Sequence, residues 1–252
     1  MNRFKDNFSK QSDIYVKFRP TYPKELFDFL SGLTFEHKLA WDCGTGNGQS
    51  ALKLADYFEK VYASDPSSEQ IKNAIQNDKI VYKVEDAETP NLIENNSVDL
   101  ITVAQAIHWF DFDKFYTQVK RVLKTNGVIA VWAYGIPTIE QKLDNIIKDF
   151  HDNIVGEFWL PENKLIEKEY STIPFPFEEI KTPDFFIKKQ VTISETLGHL
   201  RSWSATQKYI DTYNENPTEN LSQKLQEHWG NLYDEKEINW KLILKVGRIV
   251  SS

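Results

Sequence analysis

Cysteine is almost missing from this chain of 252 residues; Cys43 stands alone, which excludes an intramolecular disulfide and any zinc cluster built on cysteines. No stretch reaches the roughly 18 apolar residues that a membrane-spanning helix needs. The opening Met-Asn-Arg-Phe-Lys-Asp is polar and lacks the apolar centre of a signal peptide. Positive charge is not in excess either. With 30 Lys and Arg against 37 Asp and Glu, the net charge is −7, which disfavours nucleic acid or an anionic membrane as the bulk partner. His37, His151, His199 and His228 show no metal-ligand spacing, so no metal site is expected. There is no repeat and no low-complexity tract. What remains is a chain expected in a reducing, cytoplasmic setting, as a monomer or homodimer.

The length suits one domain over 1–252 with a substantial core. Seven Trp, 11 Tyr and 16 Phe make it rich in aromatics, which suits a bulky core or a pocket with aromatic walls. In the first half, strand and helix patterns alternate. Short apolar runs at 39–43, 60–64, 80–84, 98–104 and 128–132 read as strands, with helices over 23–33, 48–58, 70–76 and 111–123. Asn126-Gly127 reads as the turn before the fifth strand. This alternation predicts an α/β fold, a doubly wound, Rossmann-like parallel sheet with helices on both faces. The second half reads as helices over 138–154, 194–213 and 217–229 and strands over 185–193 and 238–246. Between them, 156–176 is aromatic and proline-rich, a cover element rather than a linker.

The most informative segment is Asp42-Cys43-Gly44-Thr45-Gly46-Asn47-Gly48, where a buried strand ends in an acid and three glycines lead into a helix. Such a turn lets a ligand lie against the main chain. The spacing is G-x-G-x-G rather than the G-x-G-x-x-G of dinucleotide-binding turns. A carboxylate at Asp42 repels a pyrophosphate but suits hydroxyl and amine donors. Asp65, before Pro66, ends the second strand and can accept from both hydroxyls of an adenosine ribose, or else cap the helix that follows. Asp86-Ala87 follows the third strand, where an acid and a backbone amide can read an adenine edge; Glu85 and Glu88 compete for that role. Gln105-Ala106 follows the fourth strand, with His108 and Trp109 just beyond. Ligands on such sheets bind at the carboxyl ends of the strands. Asp42, Asp65, Asp86 and Gln105 all fall on that rim. His108 is either a general base or a packing group. Cys43 reads as a small core residue at the head of the loop.

With these residues in hand, the chain resembles the class I S-adenosylmethionine (SAM)-dependent methyltransferases over roughly 35–135. Asp42–Gly48 is similar to their first glycine-rich motif, Asp65 to their ribose-binding acid and Asp86-Ala87 to their adenine-reading position. More narrowly, Tyr15-Val-Lys-Phe-Arg19-Pro-Thr-Tyr22-Pro and Gln105-Ala-Ile-His108-Trp109-Phe-Asp111 resemble a subgroup related to trans-aconitate methyltransferase. Phe158-Trp159, Pro174-Phe-Pro-Phe177 and Arg201-Ser-Trp203-Ser are also similar to that subgroup's later landmarks. The resemblance implies a seven-stranded sheet whose last strand runs antiparallel, a SAM-binding core at 35–135, an N-terminal lid at 1–34 and a substrate-side insertion at 136–183. It implies SAM as cofactor and methyl transfer to a small molecule, with a carboxylate among the candidates. Tyr15, Arg19 and Tyr22 would then close over the cofactor. His108, Trp109, Trp132, Trp159, Arg201 and Trp203 are the substrate-side candidates. The alternatives are an NAD(P)-binding oxidoreductase and a SAM-binding protein without catalysis.

Overall fold

The structure, a computed structural model, describes residues 20–249. Tyr15, Arg19 and most of the expected 1–34 lid lie outside the described residues. Five parallel strands come first: β1 (Leu39–Cys43), β2 (Lys60–Asp65), β3 (Ile80–Val84), β4 (Val98–Ala104) and β5 (Leu123–Tyr134). They lie in the order β3-β2-β1-β4-β5. Strand order therefore reverses between β1 and β4, and the crevice at their carboxyl ends is where such sheets take ligands. β8 (Lys236–Arg248) runs antiparallel beside β5, as the sequence implies for the last strand. The sheet has eight strands rather than seven, because the outer edge of β8 is shared by the two-residue β6 (Glu178–Glu179) and by β7 (Phe186–Val191).

Period-two alternation divides the core between the two sheet faces. Ala40, Leu100, Val128, Ala130 and Trp132 face one side, where α1 (Lys24–Gly32) and α2 (Gln49–Leu54) bring Leu26, Phe27, Leu30, Ala51 and Leu54. Trp41, Cys43, Ile101, Val103, Ile129 and Val131 face the other, packed by Phe115, Val119 and Val122 of α4 (Phe112–Val122). The short α3 (Ser68–Lys72) follows β2, its Ser67 hydroxyl accepting from the Gln70 amide. α2 closes at Leu54, short of the expected 58, as the Asp56 and Tyr57 amides tighten onto Lys53 and Leu54 three residues back. Asn126-Gly127 sits inside β5, where the strand bulges between Leu123 and Val128.

The cover elements follow β5 and β7. α5 (Gln141–Asp149) runs into a π-helical turn, Phe150–Ile154, closed by the Val155 amide on the Phe150 carbonyl at 3.0 Å. α6 (Lys164–Glu167) precedes β6; α7 (Ile193–Arg201), α8 (Ser204–Tyr213) and α9 (Thr218–Trp229) precede β8. The helix expected over 194–213 is broken. Ser202 returns its hydroxyl to the His199 carbonyl at 2.6 Å, and Trp203 turns extended (φ −65°, ψ 139°) to start α8. Among the described residues no helix is long and apolar enough to cross a membrane.

At the opposite end of the sheet from the carboxyl-end rim, Asp99 is 3% exposed within a largely apolar strand. One carboxylate oxygen accepts from the Lys38 and Leu39 amides, both at 2.9 Å, and the other from Lys124 Nζ at 2.6 Å. That acid ties β1, β4 and β5 together. Removing it leaves two amides without their acceptor and Lys124 with Glu36 as its remaining partner at 2.7 Å, so Asp99→Ala is expected to cost about 2 kcal/mol. Urea denaturation at neutral pH measures the loss, and an unchanged midpoint would show that the tie carries no stability.

Candidate active site

The β1 end folds as the sequence pattern demands. Gly44, Gly46 and Gly48 all have positive φ, at 70°, 56° and 87°. Two of them are also packed tight: a Cβ on Gly44 would fall 2.5 Å from the Ala106 Cβ, and one on Gly48 only 2.2 Å from the Tyr82 hydroxyl. Gly46 differs. Among the described residues a Cβ there would meet only Gln70 Oε1, at 3.9 Å, so the middle glycine is not packed against them as the other two are. This is the place where a ligand can lie against main chain.

Asp42 lies beneath this loop rather than on its face. It is fully buried; Oδ1 accepts from the Thr102 hydroxyl at 2.7 Å and Oδ2 from the Thr45 hydroxyl at 2.5 Å. Desolvation raises its pKa, and the hydroxyl bonds act against that rise. Asp42 thus braces the loop from below. Cys43 is fully buried as well, its thiol pushed well up by burial; it belongs to the core and not to the loop's face. Thr45 and Asn47 are also buried within the turn.

Asp65 closes the rim from β2. Its Oδ2 accepts from the Gly46 amide and its Oδ1 from the Ser67 amide, each at 2.9 Å. These two bonds join the glycine loop to the start of α3, the capping role among the two sequence readings. Pro66 is half-buried beside it. At the β3 end the three acids differ in their partners. Glu85 accepts from the Tyr62 hydroxyl and Glu88 from the Asp111 amide, whereas the exposed Asp86 carboxylate has no partner among the described residues. Ala87 is buried next to it.

β4 ends at a strained residue. Gln105 has φ +56°, uncommon for a residue with a side chain. Its amide donates to the Trp132 carbonyl at 2.8 Å and its Nε2 to the Tyr134 carbonyl at 3.1 Å, which hold the twist. The chain then turns so that Ala106 and Phe110 press on Gly44 while Gln105, His108 and Trp109 line a cavity of about 640 Å³. Trp159 and Trp203 also line it, their rings 5.6 Å apart. Trp132 does not: it is fully buried, with Tyr22 edge-on at 5.4 Å and Phe27 at 6.2 Å. Alternation along β5 turns it into the helix-packed face. Arg201 is exposed on the last turn of α7 and is also absent from the cavity wall, because the break after it turns Trp203 inward instead. His151 and Asp152, unassigned in the sequence, do line the cavity.

His108 is 6% exposed, its Nδ1 3.0 Å from the Tyr170 hydroxyl. Burial pushes its pKa down to about 3. An imidazole so low stays neutral at physiological pH and is a weak base, against the general-base reading. The linkage has a sign. An unfolded imidazole titrates near 6.5, so below that pH the unfolded chain binds a proton that the folded chain refuses, and stability falls toward pH 3. His108→Gln is therefore expected to lose less stability than wild type between pH 7 and pH 4.5. Urea titrations at the two pH values test this; equal losses would mean that His108 titrates normally.

Comparison with known proteins bears on what this rim binds. The methyltransferase domain family matches residues 41–131, from β1 to β5. A Dictyostelium discoideum protein named "Putative methyltransferase" is 37% identical over 227 residues, spanning 88% of this chain and 86% of its own length. A "Probable S-adenosylmethionine-dependent methyltransferase" of Saccharomyces cerevisiae is 30% identical over 142 residues, 52% of this chain and 48% of that protein. Among solved structures, "a Putative Type II Methyltransferase from Anaeromyxobacter dehalogenans" superposes with a TM-score of 0.87 at 33% identity, covering 93% of this chain and 100% of that one. Methyltransferase relatives displace the dinucleotide oxidoreductase as an alternative. Similarity that runs through 88% of the chain decides the matter: this protein belongs to the class I S-adenosylmethionine-dependent methyltransferases.

Proposed function

We propose that the enzyme methylates a small molecule seated in the cavity beside Gln105 and His108. One observation carries this reading: the 105–110 segment is shared by two sites. Ala106 and Phe110 pack on Gly44 of the cofactor rim, while Gln105, His108 and Trp109 form a wall of the cavity. A molecule in the cavity is thereby next to whatever the glycine loop holds.

On this reading, the Gly46 amide region and Thr45, Asn47 and Gly48 seat the methionyl end of the cofactor, braced by Asp42. Asp65 beside Pro66 takes the ribose hydroxyls, and Asp86 with Ala87 the adenine edge. Gln105 and Ala106 floor the reactive end. Tyr22 reaches this end through its packing on Trp132 and Tyr134. Bound S-adenosylmethionine supplies a sulfonium methyl already activated for transfer to a nucleophile. The protein's task is then alignment and exclusion of water.

The cavity wall selects the acceptor. Trp109, Tyr134, Trp159, Phe186 and Trp203 offer aromatic surface suited to a planar or apolar body. The weak basicity of His108 leaves two acceptor chemistries. One is an acceptor already ionised at neutral pH, such as a carboxylate. The other is a protic group deprotonated by a different wall residue. The lining cations Lys148 and Lys241 are paired to Asp152 and Asp184. That pairing gives a carboxylate less purchase than Arg201 would have given from inside the cavity.

Titration calorimetry with S-adenosylhomocysteine tests the cofactor half of this reading. Wild type is expected to bind. Gly46→Val should abolish binding while circular dichroism stays native, because its side chain fills the one open face of the loop. Asp65→Ala should weaken binding more than tenfold; wild-type affinity in that variant would remove the ribose assignment.

A further inference from the structure

The cavity holds a second histidine that the cofactor rim does not use. His151 lies in the π-helical turn Phe150–Ile154 and is 9% exposed, yet it lines the cavity. Single π turns inside α-helices recur at functional sites, since the inserted residue redirects its neighbours. Here the turn points two adjacent side chains into one hydrogen bond. His151 Nδ1 is 2.7 Å from Asp152 Oδ1, and Asp152 Oδ2 accepts from Lys148 Nζ at 2.5 Å. The Lys148 ammonium, with His151 second, holds the Asp152 carboxyl below its usual range, so it is an ionised acceptor at neutral pH. An ionised carboxylate only accepts. The proton of a neutral His151 therefore sits on Nδ1, and Nε2, with no hydrogen-bond partner among the described residues, presents a lone pair. The ring is held between Trp159, centroids 4.9 Å apart, and Trp203 at 5.6 Å.

We propose that His151, oriented by Asp152, is the general base that takes the proton of a hydroxyl or phenol acceptor in this cavity. The proposal rests on the function proposed above and names its acceptor class. The segment that carries Trp159 continues to the 161–163 turn, which packs against the 107–109 turn at the cofactor rim. One continuous wall thus joins His151 to His108 and Trp109. Asn163 lies on that wall with its buried Oδ1 lacking a hydrogen-bond partner among the described residues. The indoles of Trp159 and Trp203 suit an aromatic ring lying beside the imidazole. As the acceptor oxygen forms its new bond to the methyl carbon, the S–C bond breaks and its electron pair stays on sulfur. The oxygen's proton passes to His151 Nε2, and the imidazolium so formed is paired by Asp152. The charged and titratable groups that share the cavity wall are His108, Tyr134, Lys148, Asp152, Glu167, Glu169 and Lys241.

Two readouts test this. The first is the tautomer of His151 in the S-adenosylhomocysteine complex, read by nitrogen-15 NMR at pH 8. The Nδ1–H form is expected; the Nε2–H form overturns the proposal, since that nitrogen could accept nothing. The second uses methyl-labelled SAM with a panel of hydroxybenzoates and hydroxycinnamates, each carrying a phenol and a carboxylate. Mass spectrometry distinguishes ether from ester products. Ether products are expected, with kcat/KM rising with pH to a plateau. His151→Gln should lower kcat/KM about a hundredfold and remove that rise. It should leave S-adenosylhomocysteine affinity unchanged. Asp152→Asn should give a smaller loss. Ester products, or a His151→Gln variant as active as wild type, overturn the base assignment and leave the methyltransferase reading intact. Failure of wild type to bind S-adenosylhomocysteine sinks the latter instead.

Discussion

The site depends on one buried carboxylate. Asp42 has no contact with solvent, and its two oxygens hold the hydroxyls of Thr45 and Thr102. Those bonds fasten the end of β1 both to the loop that follows it and to β4 across the strand-order reversal. An ionised acid in that position is costly unless hydrogen-bonded. The glycine turn is shaped to supply those bonds. The sequence pattern of acid followed by alternating glycines thus has two physical causes. The glycines permit the backbone path, and the acid pins it.

A second acid repeats the device at the rim's surface. Asp65 accepts from the Gly46 and Ser67 amides, joining the loop to the start of the next helix. The middle glycine is then held on its amide side and open on its Cα side. Gly44, by contrast, is pressed by Ala106 and Phe110. That pressure links the cofactor rim to the strained Gln105 and, past it, to the acceptor cavity. The chemistry of methyl transfer asks for little beyond such a junction, since the donor is already activated and placement supplies much of the rate.

The cavity itself divides the work between two histidines. His108 is so buried that it stays neutral and serves as a wall and a hydrogen-bond partner of Tyr170. His151 keeps a nearby carboxylate and an aromatic cage. On the wall of one cavity but unlike in surroundings, the two illustrate that a histidine's role follows from desolvation and partners rather than from its position in a motif.

Much of the cofactor side was legible in the sequence. The strands at 39–43, 80–84 and 98–104 follow from short apolar runs, and the antiparallel last strand from family resemblance. Asp65 and Asp86 reach the rim because they end parallel strands, a feature that local pattern encodes. What local pattern does not encode is direction at a distance. Whether Trp132 faces core or cavity depends on the phase of β5 against its neighbours, and Arg201 lost its place to a helix break made by Ser202. Nothing in the spacing of His151 marks it; only the π turn and the folding of Trp159 and Trp203 around it make it a site. The sequence alone therefore determined the sheet, the glycine turn and the acids at strand ends, since each depends on residues close in the chain. Tertiary structure decided that Asp42 braces the loop from beneath, which aromatics line the cavity and which histidine meets a carboxylate there. Those depend on burial and on partners brought from far along the chain.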